Sequence, residues 1–141
     1  MITREHTYKE IDLVNKAVKL VELKLSEEAV KHCDDVAVIL EVNRCRVEVV
    51  VAGLLHDIIE DSDVTYEYLV KEFGKEIADL VNEVTQEGKK DTHGYYYPRL
   101  HSREGIMIKF ADRLNNLNRI DEWDEKRKEQ YLKRSKFWRS E

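Results

Sequence analysis

VEVVVAGLLHDIIEDS, Val47 to Ser62, is the stretch whose reading decides the fold. Val49, Val50, Leu54, Leu55, Ile58 and Ile59 give it the apolar density of a helix packed on most of its surface. Taken as one helix, it places Gly53, His56, Asp57 and Glu60 at i, i+3, i+4 and i+7, on a shared face bordered by Asp61. One imidazole and three carboxylates on a mostly buried helix need partners or a cation, because isolated charge is costly away from water. The pattern points to a divalent metal site whose remaining ligands come from elsewhere in the chain. A hydrogen-bonded polar patch without an ion is the competing reading.

On the N-terminal side, helical periodicity predicts a helix from about Tyr8 to Leu25, with Ile11, Val14, Ala17, Val18, Val21 and Leu25 on one stripe. A second is predicted from about Asp34 to Val42, entered through Lys31-His32-Cys33-Asp34, with Val36, Ala37, Ile39 and Leu40 inward. On the C-terminal side, Ser62-Asp63-Val64-Thr65 closes the central helix. Thr65 is a natural N-cap for YEYLVKEF, Gly74 a stop, and Lys75 to Glu83 resumes with Ile77, Leu80, Val81 and Val84.

From Gln86 to Glu104, QEGKKDTHGYYYPRLHSRE, the periodicity is lost. This is either a solvated surface loop or a lid whose Lys89, Lys90, Arg99, His101 and Arg103 meet an anionic ligand. Tyr95-Tyr96-Tyr97 suits packing and stacking equally. Helical order returns at Gly105 or Ile106. In IKFADRLNNLNRI, Asp112, Asn116 and Arg119 share a face, with Leu114, Leu117 and Ile120 expected inward. Asp112 with an amide four residues later fits a metal ligand and its hydrogen-bonding neighbour; a capping or salt-bridged Asp fits as well. The last helix, roughly Asp124 to Trp138, is highly charged, with Tyr131, Leu132, Phe137 and Trp138 for docking.

With one Pro and five Gly, this pattern makes the class all-α. The 141 residues show no composition break and read as a single domain, 1–141. Charged residues at 38% against 42% hydrophobic describe a globular chain with a heavily solvated surface. A net charge of -5 argues against a general nucleic-acid binder while allowing a local basic pocket. No apolar run reaches the length of a membrane span, and MITREHTYKE lacks a signal peptide's apolar region, so a cytoplasmic protein is expected. Cys33 and Cys45, without ligand-like spacing, read as reduced thiols.

Taken together, His32, His56-Asp57 and Asp112 resemble the H…HD…D pattern of the HD superfamily of metal-dependent phosphohydrolases. LLHDIIEDSDVTYEYLVKEFGKEIADLVNEVT and IKFADRLNNL are similar, almost position for position, to the hydrolase domain of Rel/SpoT alarmone enzymes. The chain most resembles their small stand-alone hydrolases, and WDEKRKEQY (Trp123 to Tyr131) looks like their W-x-E-x-R-x-x-x-Y segment. The resemblance implies an HD-domain helical bundle with the metal between helices, and removal of the 3′-pyrophosphate of (p)ppGpp. It implies Mn2+, with Fe2+ or Zn2+ as alternatives, held by His32, His56, Asp57 and Asp112. Glu60 and Asp61 would orient and deprotonate the attacking water. Asn116 would position substrate or water, and Arg127, Tyr131 and a loop lysine, Lys89 or Lys90, would reach the substrate. The partner is then a small nucleotide, with no nucleic acid or membrane.

The family usually carries a basic, glycine-containing loop ending in Pro-Tyr shortly before its first His, and Pro right after it. Here LKLSEEAVKHCDD has no Gly and no Pro-Tyr, and Cys33 follows His32; Lys24 or Lys31 are the available substitutes. That departure motivates a second reading, an HD enzyme for another nucleotide or phosphorylated metabolite. A non-catalytic ligand-binding module is the third.

Overall fold

The computed structural model describes residues 7–85 and 100–134, and these form helices and turns with no strand among them. Helix α1 (Tyr8–Lys24) opens on a capping box: Thr7 accepts from the Glu10 N–H while Glu10 accepts from the Thr7 N–H. Its buried stripe is Val14, Ala17, Leu20 and Val21.

Helix α2 (Glu27–Val42) begins two turns earlier than the periodicity predicted. Ser26 accepts from the Ala29 N–H, and Glu27 and Glu28 place two carboxylates in the first turn, where the helix dipole favours them. His32 therefore sits inside the helix rather than on its entry. After Arg44, whose φ of 62° turns the chain, α3 (Val47–Leu54) follows.

Helix α3 packs against α1, α2, α6 and α7 (the last two defined below), and seven of its eight residues are buried. It approaches α2 so closely that a Cβ at Gly53 would collide with Leu40. The stretch from Val47 does not continue as one helix. It breaks at Leu55-His56-Asp57, and α4 (Ile58–Asp61) is a single turn. The Gly53 carbonyl, which a continuous helix would give to the residue 57 N–H, accepts instead from His56 Nδ1 at 2.7 Å. Ile58 N–H reaches back only three residues, to Leu55. The imidazole thus competes with the helix for its own carbonyl and tightens the chain at the site.

Thr65 caps α5 (Tyr66–Phe73) as predicted, and Gly74, at φ 92°, both ends it and starts α6 (Lys75–Val84). The two pack as a hairpin through Leu69, Phe73, Ile77 and Val81. Helix α7 (Arg103–Arg119) starts earlier than predicted, because Ser102 accepts from the Gly105 N–H. Glu83 of α6, buried, accepts from the His101 and Ser102 N–H groups and the Ser102 hydroxyl, at 2.8–3.0 Å. A Cβ on Gly105 would strike that carboxylate.

Along α7 the inner stripe is Gly105, Ile108, Lys109, Ala111 and Asn115. Leu114 and Leu117, expected inward, are 49% and 39% exposed. Their position is set by the hydrogen bonds that Asp112 and Asn115 make to α2, which turn the polar side of α7 into the protein. After a 3-10 turn (Ile120–Glu122), α8 (Glu125–Arg134) ends the described chain, with Tyr131 half-buried and Leu132 exposed; Phe137 and Trp138 lie outside the described residues. Cys33 and Cys45 are buried and free.

Candidate metal centre and active-site cavity

Three pieces of chain meet at one point: the second turn of α2, the break between α3 and α4, and the middle of α7. His32, His56 and Asp57 each offer a ligand atom there, all within 4.8 Å of one another. Asp112 joins them from α7, with Oδ1 2.8 Å from His32 Nε2 and 3.5 Å from His56 Nε2. Asp57 Oδ2 is 3.2 Å from His56 Nε2. The rings of His32 and His56 stand edge to face, 5.1 Å apart.

The outer hydrogen bonds orient both imidazoles. His56 Nδ1 must donate to the Gly53 carbonyl, which cannot donate in return. His32 Nδ1 donates to Asn115 Oδ1 at 2.7 Å, and the Asn115 amide in turn donates to Asp35. Each neutral ring therefore aims the lone pair of Nε2 into the cluster, the tautomer that binds a cation. His56 Nε2 is buried with no hydrogen-bond partner. Two nitrogen lone pairs facing two carboxylates in a buried space fit a divalent cation between them.

The electrostatics agree. Burial alone would lower the pKa of His56, but the Asp57 and Asp112 carboxylates raise it well above the ordinary imidazole value. Burial would raise Asp112, yet His56, the neighbouring His32 ring and the Lys109 ammonium hold it well below the usual carboxylate range. Asp57 is lowered as well: His56 outweighs burial. Burial pushes the Cys33 thiol up, against the lowering effect of His56.

The cluster forms the floor of a cavity of about 400 Å³. Glu60 and Asp61 line it from α4 and are exposed, so the acidic dyad stands at the rim rather than on a buried helix face. Burial, then the neighbouring Asp57, push the Asp61 carboxyl up. Asn116 donates to Asp112 Oδ1 at 3.1 Å and to the Tyr131 hydroxyl at 3.3 Å, which joins α8 to the floor. Arg127 and Tyr131 line the far wall. Lys89 and Lys90, with Tyr95 to Tyr97, lie outside the described residues.

Several lining residues carried no role in the sequence reading. Lys109 is 4% exposed, with its ammonium 3.7 Å from Asp112 Oδ2, on the side of that carboxylate away from the imidazoles. A lysine one turn before a candidate ligand, inside the apolar run MIKFA, was the available signal. Asn115 stands three residues after Asp112 and was hidden by its neighbour Asn116. Arg119, Trp123 and Glu28 complete the outer wall.

A family model described as "HD domain" matches residues 11–93. The chain belongs to the HD-domain family. The family together with the His/Asp cluster identifies a divalent-metal site. The guanosine-3′,5′-bis(diphosphate) 3′-pyrophosphohydrolase MESH1 of Drosophila melanogaster is 35% identical over 117 residues, covering 73% of this HD-domain chain and 64% of the fly protein. The guanosine-3′,5′-bis(diphosphate) 3′-pyrophosphohydrolase of Aquifex aeolicus is 38% identical over 92 residues, 57% of this chain and 13% of that protein. A solved structure, described as a metazoan ortholog of SpoT that hydrolyzes ppGpp, superposes with a TM-score of 0.69 at 27% identity, over 92% of this chain and 83% of that one. The chain thus spans about two thirds or less of the length of these curated relatives. Among the described residues no helix is long and apolar enough to cross a membrane.

Proposed function

We propose that this HD-domain protein hydrolyses the 3′-pyrophosphate of guanosine tetra- and pentaphosphate, releasing GDP or GTP and pyrophosphate, with Mn2+ as the resident ion. The observation that carries the reading is one cavity holding the His/Asp cluster, an acidic dyad at its rim, and cations on its walls, in a fold shared with named ppGpp hydrolases. His32, His56, Asp57 and Asp112 would hold the ion. When bound, it lowers the pKa of a coordinated water and neutralises charge on phosphoryl oxygens.

The remaining work falls to the chain. Asp61, whose pKa is raised, and Glu60 beside it would orient the attacking water and accept its proton. The water oxygen bonds to the phosphorus on O3′ as its proton passes to the dyad, the P–O3′ bond breaks, and the ribose oxygen leaves as a hydroxyl by taking up the proton that the dyad gives back. Lys109 braces Asp112 and adds positive charge near the pyrophosphoryl group under attack. Asn116 and Tyr131 position the sugar-phosphate edge, and Arg127 meets an outer phosphate. Lys89 and Lys90 belong to the proposal as further phosphate contacts. A single domain and a cytoplasmic location belong to it too.

One observation favours a second reading, an HD hydrolase for another phosphorylated metabolite. The segment before His32 is the acidic first turn of α2, and Glu28 lines the cavity. Products decide between the two. Metal-stripped protein incubated with ppGpp should yield GDP and pyrophosphate only after Mn2+ is restored. Orthophosphate from other phosphoesters, with ppGpp untouched, would transfer the assignment to the second reading. Glu60→Gln should keep the metal and lose turnover; full activity in that variant would remove Glu60 from the chemistry.

A further inference from the structure

The outer wall of the cavity carries a carboxylate where a polyanionic ligand needs cations. Glu28 Oε1 lies 3.1 Å from Arg127 Nη2 and 3.6 Å from Arg119 Nη2, so guanidiniums from α7 and α8 converge on one oxygen of α2. Both arginines have contacts beyond Glu28, Arg119 with Glu122 Oε2 at 3.7 Å among them. The Arg127 guanidinium stacks 4.1 Å from the Trp123 ring centroid, and the Arg119 side chain is only 19% exposed. The Glu28 side chain is 57% exposed, and among the described residues the two arginines are its polar partners.

An exposed ion pair of this kind is weak and easily exchanged. A phosphate, with more charge and three oxygens, engages both guanidiniums better than one carboxylate oxygen does. The corner is also wired to the metal centre. Arg127 stacks on Trp123, Trp123 meets Tyr131 edge to face, and Tyr131 accepts from Asn116, which also donates to Asp112.

We infer that Glu28 sets the affinity for the ligand's second anionic group, as an internal competitor that fills the Arg119–Arg127 corner until that group displaces it. A ligand with a phosphate group only at the His/Asp end leaves the ion pair intact and gains nothing there. A nucleotide phosphorylated at both ends must replace it, and the exchange takes up part of the affinity that the two arginines supply. This inference rests on the proposed nucleotide hydrolase for its ligand class, not for the contact itself.

The test uses the full, Mn2+-loaded chain and the variant Glu28→Gln, which keeps the side chain's shape and removes its charge. For ppGpp, KM should fall about three- to fivefold with kcat within about twofold, the size expected for one exposed ion pair. In the wild type a ligand exchanges one ion pair for another, whereas in the variant it adds one, so KM should rise more steeply with salt in the variant. The gain should vanish in Glu28→Gln/Arg127→Ala. An unchanged or higher KM in Glu28→Gln, or a gain that survives loss of Arg127, overturns the inference. Calorimetry with guanosine 3′,5′-bisphosphate, which carries phosphate at both ends and no pyrophosphate bond to hydrolyse, separates this from failure of the activity. If the wild type leaves ppGpp intact but Glu28→Gln binds the bisphosphate severalfold tighter, the corner stands and the substrate falls. If bisphosphate binding is also unchanged, the corner falls with it.

Discussion

The two ends of the cavity are built by different rules. At the floor, His32, His56 and Asp112 are buried or nearly so, and each makes a further hydrogen bond that fixes it: His32 to Asn115, His56 to the Gly53 carbonyl, Asp112 from Asn116. At the outer wall, Glu28 and Arg127 are more than half exposed and held by ion pairs and one stacked ring. Low dielectric makes the floor intolerant of change, because any loss leaves buried charge unpaired. Solvent screening makes the wall cheap to alter. Chemistry is thus assigned to the rigid end and ligand choice to the adjustable one.

That contrast is broken most directly at the floor. His56→Ala or Asp112→Ala should abolish metal binding and turnover together, with at least about a thousandfold loss of activity. Metal content by elemental analysis, alongside turnover, checks it; tight binding in either variant would show that the ligand set is wrong. Lys109→Met comes next. It removes the charge behind Asp112 while keeping the stem's packing, and should cost about a hundredfold in kcat with metal still bound. A variant with normal kcat would reduce Lys109 to a filler of the core. Asn115→Ala is smaller again, about tenfold in metal affinity, because it frees the His32 ring without removing a ligand. Metal titration against a competing chelator reads it directly.

The same contrast explains what could be read from residues alone. The all-α pattern, the caps at Thr65 and Gly74, and the types of residue in the cluster were legible, because they depend on local periodicity and on the cost of buried charge. The break at His56 was not. Periodicity treats Val47 to Asp61 as one helix, and only the position of the imidazole shows that it takes the Gly53 carbonyl. Leu114 and Leu117 misled for a related reason: an apolar pattern cannot register that Asp112 and Asn115 are bound to His32 across the bundle. Lys109 and Glu28 were hidden in plain composition, since one more lysine or glutamate means little in a chain with 38% charged residues until its neighbours are known.

The smallest effect is a pH dependence at the floor. In the metal-free protein His56 has its pKa raised above the unfolded value, through Asp57 and Asp112 acting against burial. A raised folded value contributes stability that is complete below the unfolded pKa, about 6.5, and is lost as pH climbs through the folded one. Asp112, held below its unfolded value, contributes in the opposite sense: its share is present above about pH 4 and is lost as pH falls through the lowered value. Chelated protein should therefore be most stable in mildly acidic solution and lose several degrees in Tm as pH rises past neutrality. There the His56 proton leaves and a lone pair faces two carboxylates. A bound divalent cation takes that proton's place, and its own binding strengthens as the ligands deprotonate. Melting curves with and without Mn2+ should accordingly diverge with increasing pH. Parallel curves would mean that the cluster's charge is balanced by something other than a proton or a metal, and would detach His56 from the centre.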